Sequence, residues 1–145
     1  MKPFALQTVL DLMQTRTDDA TRRLAQLITM ENDARSKFTM LQQYRDEYAS
    51  RFRLAAQNGI GQREWHNYQE FLNRLDEAID QQGQAVGVQE RHTAAGQVKW
   101  QEQRTKLKAF DTLSQRHQAG EVALELRREQ KVQDEFASRY HDNED

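Results

Sequence analysis

The sequence predicts an all-α protein in which two long helices fold back on each other as an antiparallel coiled-coil hairpin. Charged residues make up 30% of the chain and hydrophobic residues only 37%, which is typical of exposed helices that each bury little surface. One proline, at position 3, and six glycines leave few interruptions. Apolar residues recur in alternating steps of three and four, which indicates a heptad repeat rather than a compact globular fold.

The clearest break in the helical pattern is the segment Asn58–Gly61. Asparagine and glycine accept the left-handed backbone found at helix C-termini. Glu64 lies three residues after Gly61 and resembles the distal half of a capping box. A short connection between two long helices places them side by side. We therefore expect the hairpin to turn near Asn58–Gly61.

The first helix is expected over residues 4–56 and the second from Gln62 onwards, each with a seam of a and d positions. In the first helix these positions are Leu10, Met13, Thr17, Ala20, Leu24, Leu27, Glu31, Ala34, Phe38, Leu41, Arg45, Tyr48 and Phe52. In the second helix they are Trp65, Tyr68, Leu72, Leu75, Ile79, Gln82, Val86, Gln89, Thr93, Gly96, Trp100, Gln103, Leu107 and Phe110. Small and amide residues in the middle of the second seam predict loose packing there.

Two registers of the hairpin compete. A turn centred on Ile60 makes the numbers of facing residues sum to about 120, so that Leu24 faces Gly96 and large side chains meet small ones. The neighbouring register, with a sum of about 113, places Arg45 against Tyr68. We expect the first of these, because it also pairs polar residues with polar residues.

The whole chain, 1–145, is expected to form one elongated coiled-coil domain. Residues beyond about Leu113 face nothing in this register and form an overhanging helix, which frays or docks elsewhere because a lone helix is marginal in water. Its weak apolar stripe comprises Val122, Leu126, Val132, Phe136 and Tyr140. The acidic end, residues 141–145, extends beyond it, and the sequence leaves open whether this overhang is ordered or disordered.

Composition excludes several classes of protein. The chain has no cysteine, so it has no disulfide framework and no thiolate chemistry. No apolar run approaches the length of a membrane span, and the N-terminus lacks the features of a signal peptide, so we expect a cytoplasmic location. The net charge of −2 argues against nucleic-acid binding.

The sequence also gives no indication of an enzyme. His66 with Glu70, and His117 with Glu121, have the i, i+4 spacing of a helical metal pair, but such pairs arise by chance in a chain rich in Glu and Gln. No phosphate loop is present, and a two-helix hairpin offers no concave site for acid–base chemistry. We therefore expect no catalytic residues, metal, cofactor or small-molecule substrate.

Two surfaces are candidates for contact with other proteins. Tyr44 and Phe71 occupy g positions, which usually carry charges, and they widen the apolar strip beside seam residues near the turn. Exposed aromatics suggest a partner site, and extra packing is the alternative. The second surface is basic and comprises Lys99, Arg104, Lys106 and Lys108. The alternative is that these side chains are simply solvated and bind no partner.

The chain resembles the family of flagellar export proteins named FliJ. The likeness is densest in the segment Asn58–Phe71, with its Asn-Gly-Ile turn and its Trp65, Asn67, Tyr68, Gln69 and Phe71. A generic coiled coil would share the heptads but not this block. Further matching residues are Leu41, Tyr44, Glu47, Tyr48, Leu75, Ala78, Ile79, Trp100, Lys106, Leu107, Thr112, Leu113 and the segment 134–137.

The resemblance implies a non-enzymatic component of the bacterial flagellar type III export apparatus, in flagellum biogenesis and motility. Such proteins form an antiparallel coiled coil similar to the stalk of rotary ATPases. They bind the hexameric export ATPase, contact the cytoplasmic domain of the export gate, and escort empty substrate chaperones. The implied location is cytoplasmic, with peripheral association with the inner membrane at the flagellar base.

The resemblance also implies sites. The patch that contacts the export gate falls on Leu41, Tyr44, Tyr48, Phe71, Leu75 and Ala78. Lys37 and Gln82 depart from the family pattern, so the edge of the patch is less well defined than its centre. By analogy with rotary stalks, Arg104 and Lys108 would enter the ATPase ring. The alternatives are the corresponding stalk of a virulence secretion system, a helical-arm nucleic-acid binder, and a metal-dependent helical enzyme.

Overall fold

The protein is an all-α hairpin, as the heptad pattern predicts. The computed structural model describes residues 3–144, which form helix α1 over Pro3–Asn58 and helix α2 over Gln62–Glu144. Pro3 suits the first turn of a helix, because the N–H that proline lacks would have no partner inside the helix there. Residues 3–144 contain no strand. Both helices extend close to the bounds expected from the sequence.

The turn lies where the sequence places it, between Asn58 and Gln62. Gly59 has a φ of 84°, a left-handed conformation that an L side chain adopts only with strain. Its N–H donates to the Ala56 carbonyl at 3.3 Å, which closes the end of α1. The Gly61 carbonyl accepts the Trp65 N–H at 3.0 Å, the first hydrogen bond of α2.

The chain divides into two compact units. One unit is Asp19–Trp100, and the other combines Met1–Asp18 with Gln101–Asp145. In the first unit, the ring centroids of Phe52 and Tyr68 lie 5.3 Å apart, and Thr93 Oγ1 donates to the Leu27 carbonyl at 3.3 Å. Both pairs belong to the register expected from a turn centred on Ile60, and the competing register is wrong.

In the unit Asp19–Trp100, a narrow apolar seam joins α1 to α2. Its most buried side chains are Leu27, Leu72, Leu75 and Val86. Small residues in α2 let the helices approach closely, as expected for close packing. A Cβ added at Gly96 would lie 2.5 Å from Leu27 Cδ1. At Gly96 the two helices are therefore closely packed, and the loose packing predicted for the middle of the second seam is wrong at this position.

One seam residue departs from the expectation. Trp65 is 43% exposed, although the other predicted a and d positions of both helices are buried or half-buried. The reason is its place in the first turn of α2, where the chain has only just reversed and the residue expected to face it, Ala55, is too small to cover an indole ring. Trp65 is thus a surface aromatic beside the turn.

In the other unit, Thr17 Oγ1 donates to the Gln103 carbonyl at 3.3 Å, in the same register. Leu6, Thr17 and Ser114 are buried there, and His117 is half-buried. From residue 118 to residue 142 every side chain is exposed, although α2 continues to Glu144. Coverage of the seam therefore ends at His117, about one helical turn beyond the expected limit near Leu113.

Neither described helix, between residues 3 and 144, combines the length and the apolar character needed to cross a membrane.

Candidate protein-binding surface

The most distinctive surface is a cluster of aromatic rings near the turn, within the unit Asp19–Trp100. The Phe71 ring lies 4.4 Å from that of Tyr48 and 6.2 Å from that of Tyr44, the latter edge-on. Tyr48 also lies 5.3 Å from Tyr68. Offset and edge-on pairs add about 0.5–1.5 kcal/mol each beyond the area that they bury. These contacts pack Tyr44 against two other rings and still leave 43% of it exposed.

The six residues of the expected gate-contacting patch differ in exposure. Tyr44 is 43% exposed and Leu75 only 8%. The remaining members are half-buried, and they are Leu41, Tyr48, Phe71 and Ala78. The structure brings Tyr44, Tyr48 and Phe71 together. Leu75 instead belongs to the interior of the seam, so a partner would contact the ring edges around it rather than Leu75 itself.

Charged groups beside this cluster are paired across the two helices. Arg45 Nε donates to Asp76 Oδ1 at 2.8 Å, and this hydrogen bond raises the pKa of the Arg45 guanidinium. Burial raises the pKa of the Tyr48 hydroxyl above its usual value, with smaller contributions from Tyr68 and Tyr44. The cluster therefore presents neutral aromatic groups next to a neutralised ion pair, which suits contact with an apolar protein surface.

Trp65 extends the aromatic surface toward the turn. Its ring lies 6.5 Å from Phe52 and 5.2 Å, edge-on, from His66. The heptad count assigns Trp65 to the seam and therefore misses it as a surface residue. A signal was nevertheless present in the sequence, because a large residue that starts a helix opposite Ala55 has little to cover it.

The basic candidate surface is divided. Arg104, Lys106 and Lys108 are exposed on α2 in the unit that includes Gln101–Asp145, whereas Lys99 belongs to the other unit. Arg104 and Lys108 are one helical turn apart and so lie on one face. The Lys108 carbonyl accepts a hydrogen bond from Thr112 Oγ1 at 2.9 Å. Arg104 and Lys108 can therefore attract an acidic surface of another protein by their charge alone.

Comparison with known proteins identifies the family. The family model described as "Flagellar FliJ protein" matches residues 1–145. The flagellar FliJ protein of Salmonella typhi is 34% identical over 135 residues, covering 93% of this chain and 92% of the relative. That of Escherichia coli strain K12 is 32% identical with the same coverage. The chain belongs to the FliJ family. This confirms the resemblance seen in the sequence, and neither relative carries the name of an enzyme or of a virulence protein.

FliJ is a non-enzymatic flagellar protein. The two histidine pairs considered in the sequence make the following contacts. His66 stacks edge-on against Trp65, while Glu70 accepts a hydrogen bond from Arg74 at 2.8 Å. His117 Nε2 lies 3.8 Å from Glu121 Oε1. Within the part of the chain that the structure describes, no three side chains of the types that bind metals come together.

Proposed function

We propose that this FliJ protein is a coupling component of the flagellar protein export apparatus, which contacts the export gate through the aromatic cluster around Tyr44. The observation that carries the proposal is the exposed edge of Tyr44, held against Phe71 at 6.2 Å and Tyr48 at 6.5 Å. An ordered, partly exposed aromatic group loses little conformational entropy on binding, and such residues dominate protein interfaces.

The test is binding of the purified cytoplasmic domain of the export gate to the Tyr44→Ala variant. We expect affinity to fall about 10-fold or more, as for an interface hot spot, while far-ultraviolet circular dichroism shows that the helices persist without the two ring contacts of Tyr44. Leu54→Ala is the control, because Leu54 is an exposed apolar residue of α1 that lies outside the aromatic cluster. Calorimetry supplies both affinities.

A double variant tests whether the more buried residues of the patch also contribute to gate binding. Phe71→Ala with Leu75→Ala should weaken gate binding and motility while the far-ultraviolet circular dichroism still reports helix. Because Leu75 is buried, thermal stability will fall as well, and Leu72→Ala, an equally buried seam residue, controls for that loss. Normal motility in the double variant, or an equal defect in Leu72→Ala, would remove the patch from the proposal.

We further propose that Arg104 and Lys108 contact the hexameric export ATPase. Opposite charges on facing surfaces steer association and determine orientation, and both side chains are exposed on one face of α2. Reversing both to Glu should reduce the stimulation of ATP hydrolysis by the cognate ATPase. Reversing Arg127 and Arg128, also exposed on α2, removes the same charge elsewhere. Equal rates for the two double variants would contradict this assignment.

Escort of empty substrate chaperones and peripheral association with the inner membrane complete the proposal. Both rest on the family rather than on a particular geometry of this chain. Co-purification with the cognate chaperones tests the first. For the second, fractionation of cells with and without the export gate is decisive, since an unchanged membrane fraction in cells lacking the gate would exclude recruitment through it.

A further inference from the structure

The exposed end of α2, residues 118–142, carries a second apolar face that is distinct from the seam. Continuing the seam of α2 beyond His117 gives the positions Glu121, Leu124, Arg128, Lys131 and Glu135, which are mostly charged and unsuited to a core. Apart from Leu124, the exposed large apolar residues lie on other positions and reach 72% exposure at Phe136. We name residues 118–142 the tail.

The apolar face of the tail has a heptad repeat of its own. Its a positions are Leu126, Gln133 and Tyr140, and its d positions are Val122, Glu129 and Phe136. In an antiparallel coiled coil the a positions of one helix face the d positions of the other. Such a face is buried only when a second helix covers it, and in the structure every side chain of the tail is exposed.

The order of residues along this face is self-complementary. When the tail is laid antiparallel on a second copy of itself, Leu126 faces Phe136 and Val122 faces Tyr140, each twice by symmetry. The two polar positions, Glu129 and Gln133, face each other between these apolar layers. A parallel pair would instead place Glu129 against Glu129 in the core, which like-charge repulsion disfavours.

The flanks repeat this symmetry. In antiparallel pairs g positions meet g positions and e positions meet e positions. Along the g edge, Glu125 meets Arg139 of the second copy twice, with opposite charges, and Val132 meets its own symmetry mate on the two-fold axis. The e edge brings Ala123 to Ala137. Each contact from residue i to residue j recurs from j to i, which is the condition for a two-fold interface.

We propose that the tail pairs antiparallel with the tail of a second copy of this chain, forming a homodimer centred near Val132. The charge complementarity of Glu125 with Arg139 and the matched apolar layers favour this occupant over an unrelated acidic or basic partner. Only six core positions contribute and two of them are polar, so the dimer is weak and forms as concentration rises. This inference does not rest on the proposed role in export.

Cysteine cross-linking tests the geometry, because the chain has no cysteine of its own. Val132→Cys should be cross-linked to its symmetry mate by a short bis-maleimide reagent, because flanking positions of paired helices lie close together but too far apart for a direct disulfide. Ser138→Cys, an exposed position on the opposite side of the tail, is the matched control. Glu125→Cys and Arg139→Cys should cross-link with each other in a mixture, and neither should cross-link efficiently with itself.

Charge reversal tests the chemistry by sedimentation equilibrium of the full chain. Arg139→Glu and Glu125→Arg should each weaken the dimer about 10-fold, because each replaces two attractive contacts with two repulsive ones. The double variant with both changes should recover most of the loss. Arg128→Glu, which alters the same charge away from the predicted edge, should leave the dimer dissociation constant unchanged.

The outcomes separate clearly. Rescue in the charge-swapped double variant together with selective cross-linking at Val132→Cys supports the antiparallel tail dimer. A chain that stays monomeric at every concentration overturns it, as does a dimer in which Val132→Cys cross-links no better than Ser138→Cys. Self-cross-linking of Leu126→Cys would indicate a parallel pair and overturns it too.

Discussion

The stretches of α2 before and after His117 differ in how far their side chains are buried. Both are amphipathic and both continue the same helix to Glu144. Before His117 the a and d positions beyond the turn are buried or half-buried, from Tyr68 onwards. After it, every side chain up to residue 142 is exposed. One helix therefore contains a paired and an unpaired part.

The difference shows that an apolar face is buried only where a second helix faces it in register. At its end the seam of α2 passes from mostly apolar residues to mostly charged ones such as Glu121 and Arg128, while most apolar residues of the tail lie on another side of the helix. Helical periodicity thus indicates that a face exists, and the identity of its partner needs separate evidence.

The largest difference is expected from removing a leucine. Leu27→Ala in the seam should lower the free energy of unfolding by about 2–5 kcal/mol, because Leu27 is buried and the lost methyl groups leave a cavity. Leu126→Ala in the tail should change it by less than about 0.5 kcal/mol. Urea denaturation followed by circular dichroism, at low protein concentration, measures both. Equal losses would mean that the tail is as well covered as the seam.

Adding a methyl group should change the free energy of unfolding in opposite directions before and after His117. Gly96→Ala forces a Cβ to within 2.5 Å of Leu27 Cδ1, so overpacking costs about 1–3 kcal/mol against a gain of about 1 in helix propensity. Gly120→Ala meets nothing within 4 Å and should raise the free energy of unfolding by about 1 kcal/mol. Melting temperatures of the two variants test the signs. A stabilising Gly96→Ala would show that the Leu27 side chain can move aside without cost.

The boundary itself can be located by substitution. His117 Nε2 is buried and lacks a hydrogen-bond partner among residues 3–144, which disfavours the folded state. His117→Leu should therefore raise the free energy of unfolding by about 1 kcal/mol. Glu121→Leu, at the next seam position, should leave it nearly unchanged because that position is exposed. A gain at Glu121→Leu would move the end of the seam further along α2.

The smallest expected effect is on the pH dependence of stability, at Tyr48 in the aromatic cluster. The folded-state pKa of Tyr48 is raised by burial, so folding favours its neutral form. This contribution to stability is complete below the unfolded-state pKa of about 10 and is lost as pH rises through the folded-state value. Tyr48→Phe should therefore lose less stability than the parent between roughly pH 9 and pH 11. Urea midpoints across this range test it, and identical pH profiles would contradict it.

Much of the fold follows from local pattern. The left-handed φ of Gly59 accounts for the turn. The predicted heptad positions of α1 are all buried or half-buried, since a side chain's face on a helix depends only on its spacing, but the predicted seam began at Leu10 and missed the buried Leu6. The register also follows, because a short turn leaves few alternatives and Gly96 admits Leu27. Trp65 is the failure, because exposure near a turn depends on how far the two helices have converged.

The candidate surfaces are less accessible to sequence reasoning. The g positions correctly indicate that Tyr44 and Phe71 are neighbours, but not that Leu75 is closed to solvent while Tyr44 stays open. That outcome depends on how the rings of both helices pack together. The pairing of Arg45 with Asp76 is likewise a contact between helices, and no spacing within one helix predicts it.

Sequence alone was sufficient for the helical class, the position of the reversal, the register and the family, because each depends on residue order along the chain. Which aromatic side chains stay exposed, and where coverage of α2 ends, required the packed structure. Burial is a property of two surfaces in contact, and a single helix contains only one of them.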